Sequence, residues 1–109
     1  MTYQHQQLAA GKWRELSLVG QLANIGSEVE RTILWRSKNP AYSRLAFERA
    51  LELIDLTLAD GKNRQRCKEI ARVREVLGDY FVGDNVWKST DELWRSYFYP
   101  FNFAARRHT

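Results

Sequence analysis

The chain is poor in the residues from which small catalytic sites are usually built. Its 109 residues include two histidines, His5 and His108, both in the end segments. An imidazole acid–base pair or a histidine metal cluster inside the body of the protein therefore has no supply. A single cysteine, Cys67, excludes an internal disulfide and suits a reducing compartment. With no histidine near it in sequence, Cys67 is expected as a packed core-edge residue and not as a reactive thiol. No apolar run approaches the roughly 20 residues of a membrane span, and no N-terminal run resembles a signal peptide, so a cytoplasmic location is expected. The sequence also lacks a phosphate-cradling glycine loop, a nucleophile elbow, an internal repeat, a low-complexity tract and a β-hairpin signal. No cofactor is expected.

What is present is helical pattern. An apolar fraction of 44% and a charged fraction of 28% are those of an ordinary globular chain, and the length suits one domain over residues 1–109. Residues 1–10, "MTYQHQQLAA", are weakly patterned and are expected as a flexible arm. Three breaks, at Asn39–Pro40, at 60–63 and at 82–89, divide the remainder into four helices. The first runs from about Lys12 to Ser37. The second starts at Pro40 behind an Asn39 N-cap and ends at Gly61 as a left-handed C-cap. The third spans about Arg64 to Val82, with Asn63 as N-cap and Gly83 as stop. The fourth opens with Ser89 and Glu92 at capping-box spacing and meets Pro100, which should kink or break it. The fold class is therefore all-α, an antiparallel bundle of four main helices with a kinked C-terminal helix.

Placing residues at 100° intervals locates the buried faces. On the first helix Trp13, Leu16, Val19, Leu22, Ala23, Ile25, Val29, Ile33 and Leu34 cover about two-thirds of the circumference. Small residues there, Gly20, Ala23, Gly26 and Ser27, let neighbouring helices approach closely. The polar strip is narrow: Arg14, Gln21, Asn24, Glu28 and Arg31. On the second helix Leu45 and Leu56 extend the apolar arc past Tyr42. In the last helix, if it continues through Pro100, Leu93, Trp94, Tyr97, Phe98, Phe101 and Ala105 share one face, while Tyr99 and Phe103 fall on the other, where the kink turns them inward or under the loop carrying Val86 and Trp87, or else they form a subunit contact or a ligand pocket. This excess of apolar circumference points to a homodimer, with Ile25, Leu45, Leu56, Tyr99 and Phe103 as interface candidates.

Charges within apolar arcs suggest a buried ion network. Glu30 falls among Leu16, Val19, Ala23 and Leu34, and Arg49, Arg66 and Arg74 fall in the apolar arcs of the second and third helices. Glu30 is expected to pair with Arg74 or Arg49, so that Glu30→Ala costs about 3 kcal/mol through an orphaned arginine. The surplus arginines form an alternative site for phosphate or carboxylate. The run "GKNRQRCK" places Lys62, Arg64, Arg66 and Lys68 around a helix start, and with Arg106 they are candidates for binding an anion or nucleic acid. The net charge of +4 permits such a partner without requiring it. Glu52 and Asp55, three apart, look like half of the E-x-x-E…E-x-x-D pattern of all-α nucleotide pyrophosphatases, in which carboxylates hold magnesium. The other half is missing, since Glu28 and Glu30 are only two apart.

Two family resemblances bear on these readings. In size and helical content the chain is similar to small HEPN-type proteins, whose ribonuclease motif is an arginine followed four to six residues later by a histidine. No arginine here has a histidine at that distance, so the resemblance does not carry the activity over. The segments "GSEVERTILW", "AFERALELIDLT", "RVREVLGDYF" and "YFYPFNFAAR" together resemble a group of short prokaryotic all-helical proteins to which no reaction is assigned. That resemblance implies a cytoplasmic helical protein and no catalysis. The reading that results is a non-catalytic interaction or accessory protein, with a nucleic-acid-binding accessory protein and a magnesium-dependent nucleotide hydrolase as alternatives.

Overall fold

The structure, a computed structural model, describes residues 11–107. The expected arm over residues 1–10, with His5, lies outside the described residues, as does His108. Every element described is helical and no strand occurs among these residues. After a helical stretch over 11–15 come α1 (Leu18–Trp35), α2 (Pro40–Ala59), a 3₁₀ helix (Gly61–Arg66), α3 (Cys67–Phe81) and α4 (Asp91–Arg107). The fold is all-α with four long helices.

The helix ends correct the sequence reading in several places. The first helix does not run on from Lys12; the chain breaks at Leu16–Ser17, where the Ser17 hydroxyl accepts from the Gly20 amide at 3.2 Å and restarts it. Asn39 caps α2 as expected, accepting from the Tyr42 amide at 3.2 Å, with Pro40 in the first turn. Gly61 is not a left-handed cap. No described glycine has a positive φ, and Gly61 opens the 3₁₀ helix that follows Asp60. Asn63 is not an N-cap either, because it is buried inside that 3₁₀ helix. Gly83 does stand just past α3, for a steric reason: a Cβ there would lie 3.0 Å from the Asp79 backbone. The N-terminus of α4 is capped by the Thr90 hydroxyl, which accepts from the Leu93 amide at 3.1 Å, and not by Ser89. Ser89 is buried and gives its amide to the Asn85 side chain.

Pro100 does not end the last helix. α4 is one element from Asp91 to Arg107 with the proline inside it. Pro100 and Ser96 are both exposed, so the Ser96 carbonyl that loses its helical donor is free to meet water. Trp94 and Phe98 are accordingly buried together and Tyr97 and Phe101 half-buried, while Tyr99 and Phe103 face outward. Leu93, expected in the core, is exposed.

α1 packs against α2 on one side and α4 on the other, and α3 packs on α2. This arrangement uses the broad apolar surface of α1 within a single chain. Ile25, named as an interface candidate, is 0% exposed, and Leu56 is half-buried against the core. The α1–α4 contact is close at Gly26, where a Cβ would stand 2.8 Å from the Cβ of Phe98. The core comprises Trp13, Leu22, Ile25, Val29, Ile33, Phe47, Ala50, Ile54, Ile70, Val73, Leu77, Trp94 and Phe98. No helix among the described residues is long and apolar enough to cross a membrane.

Candidate functional site

Of the two glutamates at 28 and 30, Glu28 is the buried one. Glu28 is 7% exposed, and its two carboxylate oxygens are held separately, by Arg31 Nη1 at 3.0 Å and by Arg49 Nε at 3.1 Å. Glu30, one hundred degrees further round α1 for each residue, pairs instead with Arg95 of α4 through a forked contact at 2.9 Å, and both partners are about two-fifths exposed. Arg74 binds Asp55 at 2.7 Å and Arg66 binds Glu69 at 2.7 Å, both on the surface. Glu30, Arg49 and Arg74 therefore form no common network. Each joins a different pair of elements.

Glu28 lies at the base of a cleft of about 500 Å³ between α1 and α2, lined by Glu28, Arg31, Tyr42, Leu45, Ala46, Glu48, Arg49 and Glu52. Helical spacing explains the set. Glu28 and Arg31 are three apart on α1, and Tyr42, Leu45, Arg49 and Glu52 recur at three and four along α2. Leu45 is 66% exposed at its rim, and the rings of Trp35 and Tyr42 meet at 5.1 Å beside it. Glu48 and Glu52 line the same cleft without an ion-pair partner among the described residues. A second apolar surface lies on α4, where Tyr99 and Phe103 are stacked at 6.2 Å and exposed. They do not fold under the loop carrying Val86 and Trp87, which has its own exposed surface with Arg72 over the Trp87 ring at 4.5 Å.

The cations proposed for an anion site are scattered in their commitments. The Lys62 ammonium pairs with Asp60 and donates to the Arg14 carbonyl at 3.1 Å, and Arg66 is held by Glu69. Arg64 and Lys68 are exposed, and Arg106 lies elsewhere, lining a groove with Asn24, Ser27, Glu30 and Arg31. For a metal, Asp55 is engaged by Arg74, and among the described residues no three histidine, cysteine, aspartate or glutamate side chains are grouped to hold an ion. The Cys67 thiol is half-buried with the carbonyl of Asn63 at 3.6 Å.

Two polar clusters were not anticipated from the sequence. In the first, Gln21 and Asn63 are buried and Asn63 Nδ2 donates to Gln21 Oε1 at 2.8 Å and to the Thr57 carbonyl at 3.0 Å. Gln21 Nε2 donates to Asp60 Oδ2 at 2.9 Å and to the Trp13 carbonyl at 3.0 Å, and Trp13 Nε1 donates to Thr57 Oγ1 at 2.9 Å. The Lys62 ammonium, with the amide of Gln21, holds the Asp60 carboxyl below its usual range in spite of burial. The second joins Arg36, Tyr80 and Asp91. Asp91 accepts from Arg36 at 2.8 Å and from the Tyr80 hydroxyl at 2.5 Å. Burial opposes the charge on Asp91, but those two donors outweigh it and its carboxyl is lowered. Burial and the neighbouring carboxylate push the Tyr80 phenol up, and the same two causes, with Glu69 as the acid, raise that of Tyr97. Both clusters satisfy their own members and bind elements together; neither leaves a group poised to attack a substrate.

No family model, no curated protein and no solved structure matches the chain.

Proposed function

We propose that the protein is a non-catalytic interaction protein, cytoplasmic and self-associating, built as a bundle of four helices whose neighbours run antiparallel. The observation that carries this reading is the exposed, contiguous set Trp35, Tyr42 and Leu45 beside the α1/α2 cleft. Large apolar side chains clustered on one face are the usual mark of a protein contact, whereas the same residues scattered singly would mean little. The short connection over 36–39 between α1 and α2 supports the antiparallel arrangement. A lone half-buried cysteine is compatible with a reducing compartment. Nucleic-acid binding is less favoured, because Lys62 and Arg66 already have acid partners.

Sedimentation of the full chain across micromolar concentrations tests the reading. A concentration-dependent dimer is expected, and a clean monomer throughout would overturn it. Retention on heparin over a salt series separates the alternative, since a nucleic-acid binder elutes late with a steep salt dependence.

A further inference from the structure

We infer that a second copy of this chain docks on the α1/α2 face, Leu45 of each copy entering the cleft of the other; this rests on the self-associating reading above. The first argument is charge. At the cleft floor two guanidinium groups, Arg31 and Arg49, share the single carboxylate of Glu28, which leaves one positive charge unmatched. Glu48 and Glu52, which line the same cleft, form no ion pair with any described residue. The face thus holds one surplus cation and two acids that are not ion-paired with each other among the described residues. A two-fold axis through the face sets the acids of one copy against the arginines of the other, which is the self-complementarity an isologous contact requires.

The second argument concerns choice of partner. The whole chain carries +4, so two copies repel at long range over most of their surface. The cleft lining has three carboxylates (Glu28, Glu48, Glu52) and two guanidinia (Arg31, Arg49), so this face lacks the positive excess of the whole chain and offers both signs for pairing across a two-fold axis. The third argument is shape. Leu45 is an exposed apolar knob, and Glu48 follows it by one turn on the same face, so the apolar group and the acid arrive together. Tyr99 and Phe103 on α4 offer stacked rings without any such matched charge.

The test is equilibrium sedimentation of the full chain with three variants, each checked for an unchanged far-ultraviolet spectrum. Leu45→Lys is expected to be monomeric where the native chain is dimeric. Glu48→Lys, at a side chain with no ion-pair partner among the described residues, is expected to raise the dissociation constant about tenfold or more. The double variant Tyr99→Ser/Phe103→Ser is expected to remain dimeric. Dimerisation that survives Leu45→Lys, or is abolished only by the α4 variant, would overturn the assigned face while leaving self-association intact. An unaltered constant for Glu48→Lys would overturn the charge pairing. A native chain that stays monomeric would overturn both this inference and the reading beneath it.

Discussion

Glu28 and Glu30 differ by two positions and by very different consequences. Glu30 and Arg95 are both about two-fifths exposed, so water screens their attraction and rehydrates either partner alone. Glu30→Ala is accordingly expected to cost less than about 1 kcal/mol, not the 3 kcal/mol that a buried pair would imply. Glu28 is the acid with something to lose. Its removal leaves two arginines against a cavity, but both guanidinia are more than half exposed and can turn to solvent. Glu28→Ala should destabilise by about 1–2 kcal/mol, between the surface and fully buried limits. Paired thermal melts of the two variants check the order. A sequence wheel identified one glutamate inside the apolar arc but chose the wrong one. It set Glu28 in the narrow polar strip, but α2 covers that position and brings Arg49 to it, while Glu30 stays two-fifths exposed beside Arg95 of α4. At Gly26 the same wheel reads correctly, since small residues there do permit close approach. Gly26→Ala would drive a methyl to 2.8 Å from Phe98. Despite the better helix propensity of alanine, a net loss of about 1–3 kcal/mol is expected in chemical denaturation.

At the scale of elements, the four long helices were legible because their apolar periodicity and their Pro and Asn signals are local. Their joints were less so. The sequence between α2 and α3 suggests a left-handed glycine and a cap, but tertiary bonds decide it: Asn63 is drawn inward by Gln21 and the Thr57 carbonyl, and the chain winds into a 3₁₀ turn around it. No local pattern announces a partner 42 residues away. Asn63→Ala strands the buried amide oxygen of Gln21, while the Thr57 carbonyl keeps the Asp60 amide at 3.3 Å, for an expected loss of about 1–3 kcal/mol in a urea melt. Pro100 makes the opposite case. Because it is exposed in the middle of α4 and removes one backbone donor, Pro100→Ala should stabilise the protein by about 1–3 kcal/mol, read as a higher midpoint in denaturant.

For the whole molecule, two lowered carboxyls contribute to the response to acid. Asp60 and Asp91 both titrate below their unfolded value, so each stabilises the fold fully above about pH 4, near the unfolded carboxylate pKa, and loses that contribution as the pH falls through its folded value. The share of stability that Asp60 and Asp91 supply should be constant from pH 7 to about 5 and decline below about pH 4; Asp60→Asn, followed by thermal melts over this range, should reduce both the neutral stability and the depth of that decline. The overall path of the chain, with α1 between α2 and α4, could not be read from periodicity alone, because a wide apolar arc serves equally for two neighbours within a chain or one neighbour and a second copy. Ile25 settles the point for α1. Leu45, still bare, leaves it open to a second copy at α2.

The anchoring of Trp13 on Thr57 has an optical consequence. Of the four indoles, those of Trp13 and Trp94 are sealed while those of Trp35 and Trp87 face solvent. Iodide should therefore extinguish only part of the native emission. If residues 11–15 peel away ahead of the rest, a third fluorophore becomes quenchable before the far-ultraviolet signal falls, and the detachment of one end of the chain can be watched as light.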